Sequence, residues 1–167
     1  MPQVIAVIHS SWSYLFNDLQ LSSREFYREV ESCIERKKLD DISFKRITFP
    51  QEGMFSARRE YLRVVRKRYT FDICAAPYGT GFFISYWQGE TRGLLRQLFA
   101  YVPFVVRVLD KLSAYKTYYQ HDTGTMFRST VHNAVQEAIS TITTAKGLRA
   151  LSPTEMQAKD TLKVRAT

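Results

Sequence analysis

Residues 61–87 read YLRVVRKRYTFDICAAPYGTGFFISYW and carry the fold of the chain. Side chains that alternate in character with a period of two place successive residues on opposite faces of a strand. Phe71, Ile73 and Ala75 share one such face, and Thr70, Asp72 and Cys74 share the other. Lys67-Arg68 and Pro77-Tyr78-Gly79-Thr80-Gly81 break the pattern with turn chemistry. The stretch therefore predicts three strands, at about 60–66, 69–76 and 82–88. The last is apolar on both faces, through Phe82, Ile84 and Tyr86 against Phe83 and Trp87, which suggests a central position. Connections this short join antiparallel neighbours.

Upstream, Ile42, Phe44, Arg46 and Thr48 alternate with Ser43, Lys45, Ile47 and Phe49, predicting a further strand over 42–49. Gln51 to Arg59 reads as a loop. Ser22 followed by Glu25 has capping-box spacing, and Phe26, Val30, Cys33 and Ile34 form one stripe, so a helix is expected over 23–38. In residues 3–19, Val4, Ile5, Ile8, Trp12, Leu15, Phe16 and Leu19 recur at helical spacing. A helix is expected there, against the β-branched run VIAVI, which would also suit a buried strand.

Downstream, residues 94–109 (LLRQLFAYVPFVVRVL) are the most hydrophobic part of the chain. Pro103 divides them into two apolar stripes, and Arg96 and Arg107 interrupt the run. The reading is two amphipathic helices hinged at Pro103, and not a membrane span. The aromatic stretch around Tyr118-Tyr119 is expected to be extended, with Asp122 or Thr123 capping a helix over 124–146. Phe127, Val131, Ala134, Val135, Ala138, Ile139 and Ile142 fall on one side of that helix. Ser152-Pro153-Thr154-Glu155 reads as a second capping box, and a flexible tail is expected from about 160. Together these predict one α+β domain over 1–167: a four-stranded antiparallel sheet packed against the helices at 23–38 and 124–146.

The 167 residues are 45% hydrophobic, enough for a core and too apolar for general disorder. The net charge of +8 points to an anionic partner, although basic charge also keeps small domains soluble. Cys33 and Cys74 lack metal-ligand or redox spacing and read as reduced core thiols. With neither a signal-peptide pattern nor Gly at position 2, the expected compartment is cytoplasmic.

Between 45 and 68 the charge is concentrated. Lys45, Arg46, Arg58, Arg59, Arg63, Arg66, Lys67 and Arg68 face only Glu52 and Glu60, with Tyr61 and Tyr69 among them. Cations beside aromatic rings are the elements that hold single-stranded nucleic acid, through phosphate neutralisation and base stacking. The competing reading is a solvated sheet edge guarded by positive charge.

Other motifs fall short. Gly79-Thr80-Gly81-Phe82-Phe83 departs from the RNA-recognition pattern at Tyr78, Thr80 and Ser85, and as a phosphate loop it precedes a strand instead of a helix. No metal-ligand spacing, cofactor motif or nucleophile–base pair stands out. An enzyme would have to draw on Asp72, His121, Asp122 and His132. The expected function is a small basic binding or adaptor module, without catalytic or metal-binding residues, that engages nucleic acid or another polyanion. The alternatives are an anionic membrane surface, or a homodimer or partner protein engaged through Leu94–Leu112.

Overall fold

The computed structural model of the protein describes residues 7–50, 58–90 and 118–165. Its centre is a six-stranded sheet in which every neighbouring pair is antiparallel. In chain order the elements are β1 (Val7–Phe16), α1 (Ser23–Arg36), β2 (Ile42–Pro50), β3 (Arg58–Arg66), β4 (Tyr69–Tyr78), β5 (Gly81–Glu90), α2 (Tyr118–Ala145), α3 (Pro153–Met156) and β6 (Lys159–Arg165). The strand order is β2-β3-β4-β5-β1-β6. After β1, α1 carries the chain to the far edge, and the meander β2 to β5 returns it to the side of β1.

The α+β class and the four strands read from the alternation are present, and β5 does lie centrally between β4 and β1. Tight turns join β3 to β4 and β4 to β5. Gly79, at the second of these, has φ +59°, a conformation glycine adopts without steric cost.

Several expectations are corrected. The segment expected to be helical over 3–19 contains β1 instead, and with β6 this gives the sheet six strands and not four. Trp12, Tyr14 and Phe16 face Tyr86, Ile84 and Phe82 of β5, and this cross-strand aromatic and aliphatic packing outweighs the helical spacing. Residues 160–165 of the tail expected from about 160 belong to β6, which pairs with β1. Arg58 and Arg59, expected in a loop, begin β3. The second long helix starts at Tyr118, six residues before its expected start, and Thr123 donates to the Tyr119 carbonyl at 2.8 Å as a helix-interior residue rather than a cap. The expected helices at Pro103 lie outside the described residues.

α1 and α2 pack side by side on one face of the sheet. Ser22 caps α1 by accepting from the Glu25 N–H at 3.1 Å, and Phe26, Tyr27, Val30, Cys33 and Ile34 are its buried stripe. Phe127, Val131, Ala134, Val135, Ala138 and Ile139 do the same for α2. Between them and the sheet lie Leu62, Val64, Phe71, Ile73, Phe82, Ile84 and Tyr86, all essentially inaccessible to water. Arg36 and Lys37 bridge the helices through Glu137, at 2.9 and 2.7 Å. α3 carries the anticipated capping box between Ser152 and Glu155. It is held to β1 by Trp12 donating to the Glu155 carbonyl at 2.7 Å.

Candidate binding site on the helix-free sheet face

No helix among the described residues lies on the opposite face, which is helix-free in that sense, and the strand alternation decides which side chains meet there. Register aligns them in rows across the strands. One row runs Lys45, Arg63, Asp72, Trp87, Ser11, Lys159, and the next runs Ile47, Tyr61, Cys74, Ser85, Ser13. Arg59 lies beyond them, opposite Phe49.

The ten residues singled out from the sequence are thus divided. Lys45, Arg59, Tyr61 and Arg63 share the helix-free face. Arg46 and Tyr69 lie on the helix face. Arg46 forms a forked ion pair with Glu31 of α1, at 2.7 and 3.1 Å, and its guanidinium stands 4.9 Å over the Tyr27 ring. Tyr69 is buried and donates to the Gln120 carbonyl at the start of α2, so its ring is not available for stacking. Arg66 donates to the Asp40 carbonyl at 3.1 Å, and Lys67 lies 3.8 Å from Asp41. Lys67 and Arg68 form the exposed turn between β3 and β4, and Arg58 is the first residue of β3, paired with Pro50.

On the helix-free face, Arg63 is buried against Asp72, whereas Lys45 and Arg59 are exposed. Burial pushes the Cys74 thiol above its ordinary pKa, and its neighbours Arg59, Tyr61 and Ser85 pull it part of the way back. Burial likewise raises the Tyr61 hydroxyl, with the neighbouring Cys74 adding to the effect. Phe49 meets the Tyr61 ring edge-on at a centroid distance of 5.4 Å.

A cleft of about 290 Å³ opens above this floor, lined by Arg59 and Tyr61 of β3, Phe83, Ser85 and Trp87 of β5, and Ser11, Trp12 and Ser13 of β1. From β3 to β1 is three strand spacings, about 14 Å. Trp87, 42% exposed, is the most accessible aromatic ring in it. The arrangement combines π surfaces, one exposed guanidinium and three serine hydroxyls. It is suited to a ligand with both planar rings and negative charge.

Sequence reasoning named Arg59 and Tyr61 but passed over Trp87, Phe83 and the serines. A signal was available, since Phe83, Ser85 and Trp87 alternate on one side of a strand whose other side is apolar. The serines of β1 could not be placed while that segment read as a helix.

The residues considered for catalysis are scattered. Asp72 is held by Arg63 at 2.6 Å. His132 bonds the Tyr86 hydroxyl through Nδ1 at 2.8 Å, and burial lowers its pKa, with Arg128 adding to the shift. His121 and Asp122 are exposed in the first turns of α2. No group of three or more His, Cys, Asp or Glu among the described residues could hold a metal ion. Cys33 and Cys74 are both buried free thiols. No helix among the described residues is long and apolar enough to cross a membrane.

The chain matches no protein-family model, no curated protein and no solved structure. Its class is defined by its own geometry, an α+β protein whose antiparallel sheet carries described helices on one face.

Proposed function

We propose that the protein is a binding module that holds single-stranded nucleic acid across the helix-free face of its sheet. The observation that carries this reading is the cleft that Tyr61, Trp87 and the exposed Arg59 line together. Bases of any sequence offer a π face, and stacking on aromatic side chains is worth about 1–3 kcal/mol per base. Arg59 supplies charge for the backbone, with Lys45 and Lys159 at the two ends of the row that carries Trp87. The hydroxyls of Ser11, Ser13 and Ser85 can donate to or accept from base edges or sugar oxygens. The serines and rings add short-range contacts that an anionic surface alone would leave unused, which favours nucleic acid over a membrane.

Tryptophan fluorescence gives a direct test, because the chain has two tryptophans in contrasting settings. Trp12 is buried and bonded to α3, while Trp87 lies open in the cleft. Short single-stranded oligonucleotides should quench the emission of Trp87, and the quenching should disappear in Trp87→Phe. Quenching that survives in Trp87→Phe, or none at all in the wild type, would refute the proposal.

A further inference from the structure

A second cavity, of about 120 Å³, lies on the helix side of the sheet, where β1, β4 and β5 meet the first turns of α2. His9, Gln88 and Glu90 reach it from the strands, and His121, Thr125 and Arg128 from the helix. The three helix positions are spaced i, i+4 and i+7 and so lie along one face. Gly124 lies on that face too. A Cβ there would stand 2.7 Å from the Tyr69 ring, so the glycine lets Tyr69 lie flush against α2 and wall the cavity.

The lining is rich in donors. Among the described residues of the lining Glu90 is the carboxylate, and His9 Nε2 lies 3.2 Å from it. Arg128 brings a fixed positive charge, and His121, Gln88 and Thr125 can each donate a hydrogen bond. These groups come from two layers, sheet and helix, and therefore approach the cavity from opposite sides. A tetrahedral group can use donors on opposite sides, whereas a planar carboxylate uses them less well. The cavity also faces the N-terminal turns of a 28-residue helix, whose dipole favours negative charge.

We propose that this cavity is a binding site for a phosphate group, with Arg128 as its charge partner, His121 and Thr125 as donors, and His9 beside them on Glu90. The site lies on the other face of the sheet from the cleft and does not rest on the nucleic-acid reading.

The test is a titration of the full chain with inorganic phosphate, followed through the ring resonances of His9 and His121. Both should shift saturably, and at lower concentration than with acetate. Arg128→Gln should weaken the binding by about tenfold or more, as expected for a lost charge-assisted contact. Arg59→Ala, in the other cleft, should leave it unchanged. Glycerol phosphate binding more tightly than inorganic phosphate would assign the group to a larger ligand, and equal binding would assign free phosphate. Should Arg128→Gln fail to fold, His121→Ala, altering an exposed residue, must weaken binding instead. Unshifted histidines at millimolar phosphate, acetate binding as well as phosphate, or affinity unchanged in Arg128→Gln or in His121→Ala would overturn the proposal.

Discussion

Arg63 and Asp72 face each other across β3 and β4 and close a two-pronged ion pair, Nε to Oδ1 and Nη2 to Oδ2, each at 2.6 Å. Both residues are 5% exposed, so the arginine at the middle of the basic stretch is committed to the sheet and withdrawn from solvent. Burial pushes the Asp72 carboxyl above its ordinary pKa, and Arg63 pulls it part of the way back.

Breaking one side of such a pair leaves an uncompensated buried charge. Arg63→Met should therefore lower stability by about 3–5 kcal/mol, while replacing both partners with apolar residues of similar volume can be neutral or better. Urea melts of Arg63→Met and of Arg63→Met/Asp72→Leu would check this. A double variant no more stable than the single one would show that the charge is not what the sheet loses.

Tyr27 ties α1 to the sheet where β3 and β4 cease to pair. The last pair in their register is Tyr61 with Cys74. Beyond it the Tyr27 hydroxyl donates to the Glu60 carbonyl at 2.8 Å and accepts from the Ala75 N–H at 3.0 Å. Tyr27→Phe keeps the ring but strands a buried N–H, which costs about 1–3 kcal/mol. The fall in the urea midpoint should appear without a change in slope, since the exposed surface on unfolding stays the same.

His132 makes stability depend on pH in a calculable direction. Its folded pKa lies below the ordinary histidine value of about 6.5 because of burial and Arg128. Between the folded pKa and about 6.5 the unfolded chain binds more protons, so stability rises with pH through this window. Acidification below about 6.5 should therefore destabilise the wild type. The difference in stability between wild type and His132→Gln should shrink over the same range. A difference independent of pH would show that His132 does not titrate as its burial requires.

The hairpins from β2 to β5 were legible because period-two alternation and turn residues coincide there. β1 was not, since Leu15 and Ile8 fill helical spacings while only Trp12, Tyr14 and Phe16 mark the strand. β6 was illegible for another reason: KDTLKVR lacks an apolar period, and its strand form comes from backbone pairing with β1. Of the candidate site, the sequence supplied the cations but not their partners. Glu31, Asp40, Asp41 and Asp72 come from other elements, and only the fold brings each to Arg46, Arg66, Lys67 and Arg63. Those pairings set Arg46, Arg63, Arg66 and Lys67 apart from Arg59 and Lys45, which are exposed on the other face of the sheet from the helices.

The most direct test of the central claim is the salt dependence of binding to short labelled single strands, read by fluorescence anisotropy. Binding is predicted at low salt, with log affinity falling linearly in log salt. Lys45→Ala and Arg59→Ala should each flatten the slope by about 0.7, the value for one phosphate contact on a single strand. Trp87→Ala and Tyr61→Ala should cost about 1–3 kcal/mol with the slope unchanged, and Lys67→Ala, at the turn beyond the cleft, should alter neither. Absence of binding at about 50 mM salt, where the electrostatic contribution is large, would contradict the account. So would Lys67→Ala matching Arg59→Ala, because binding would then follow total charge and not the helix-free face.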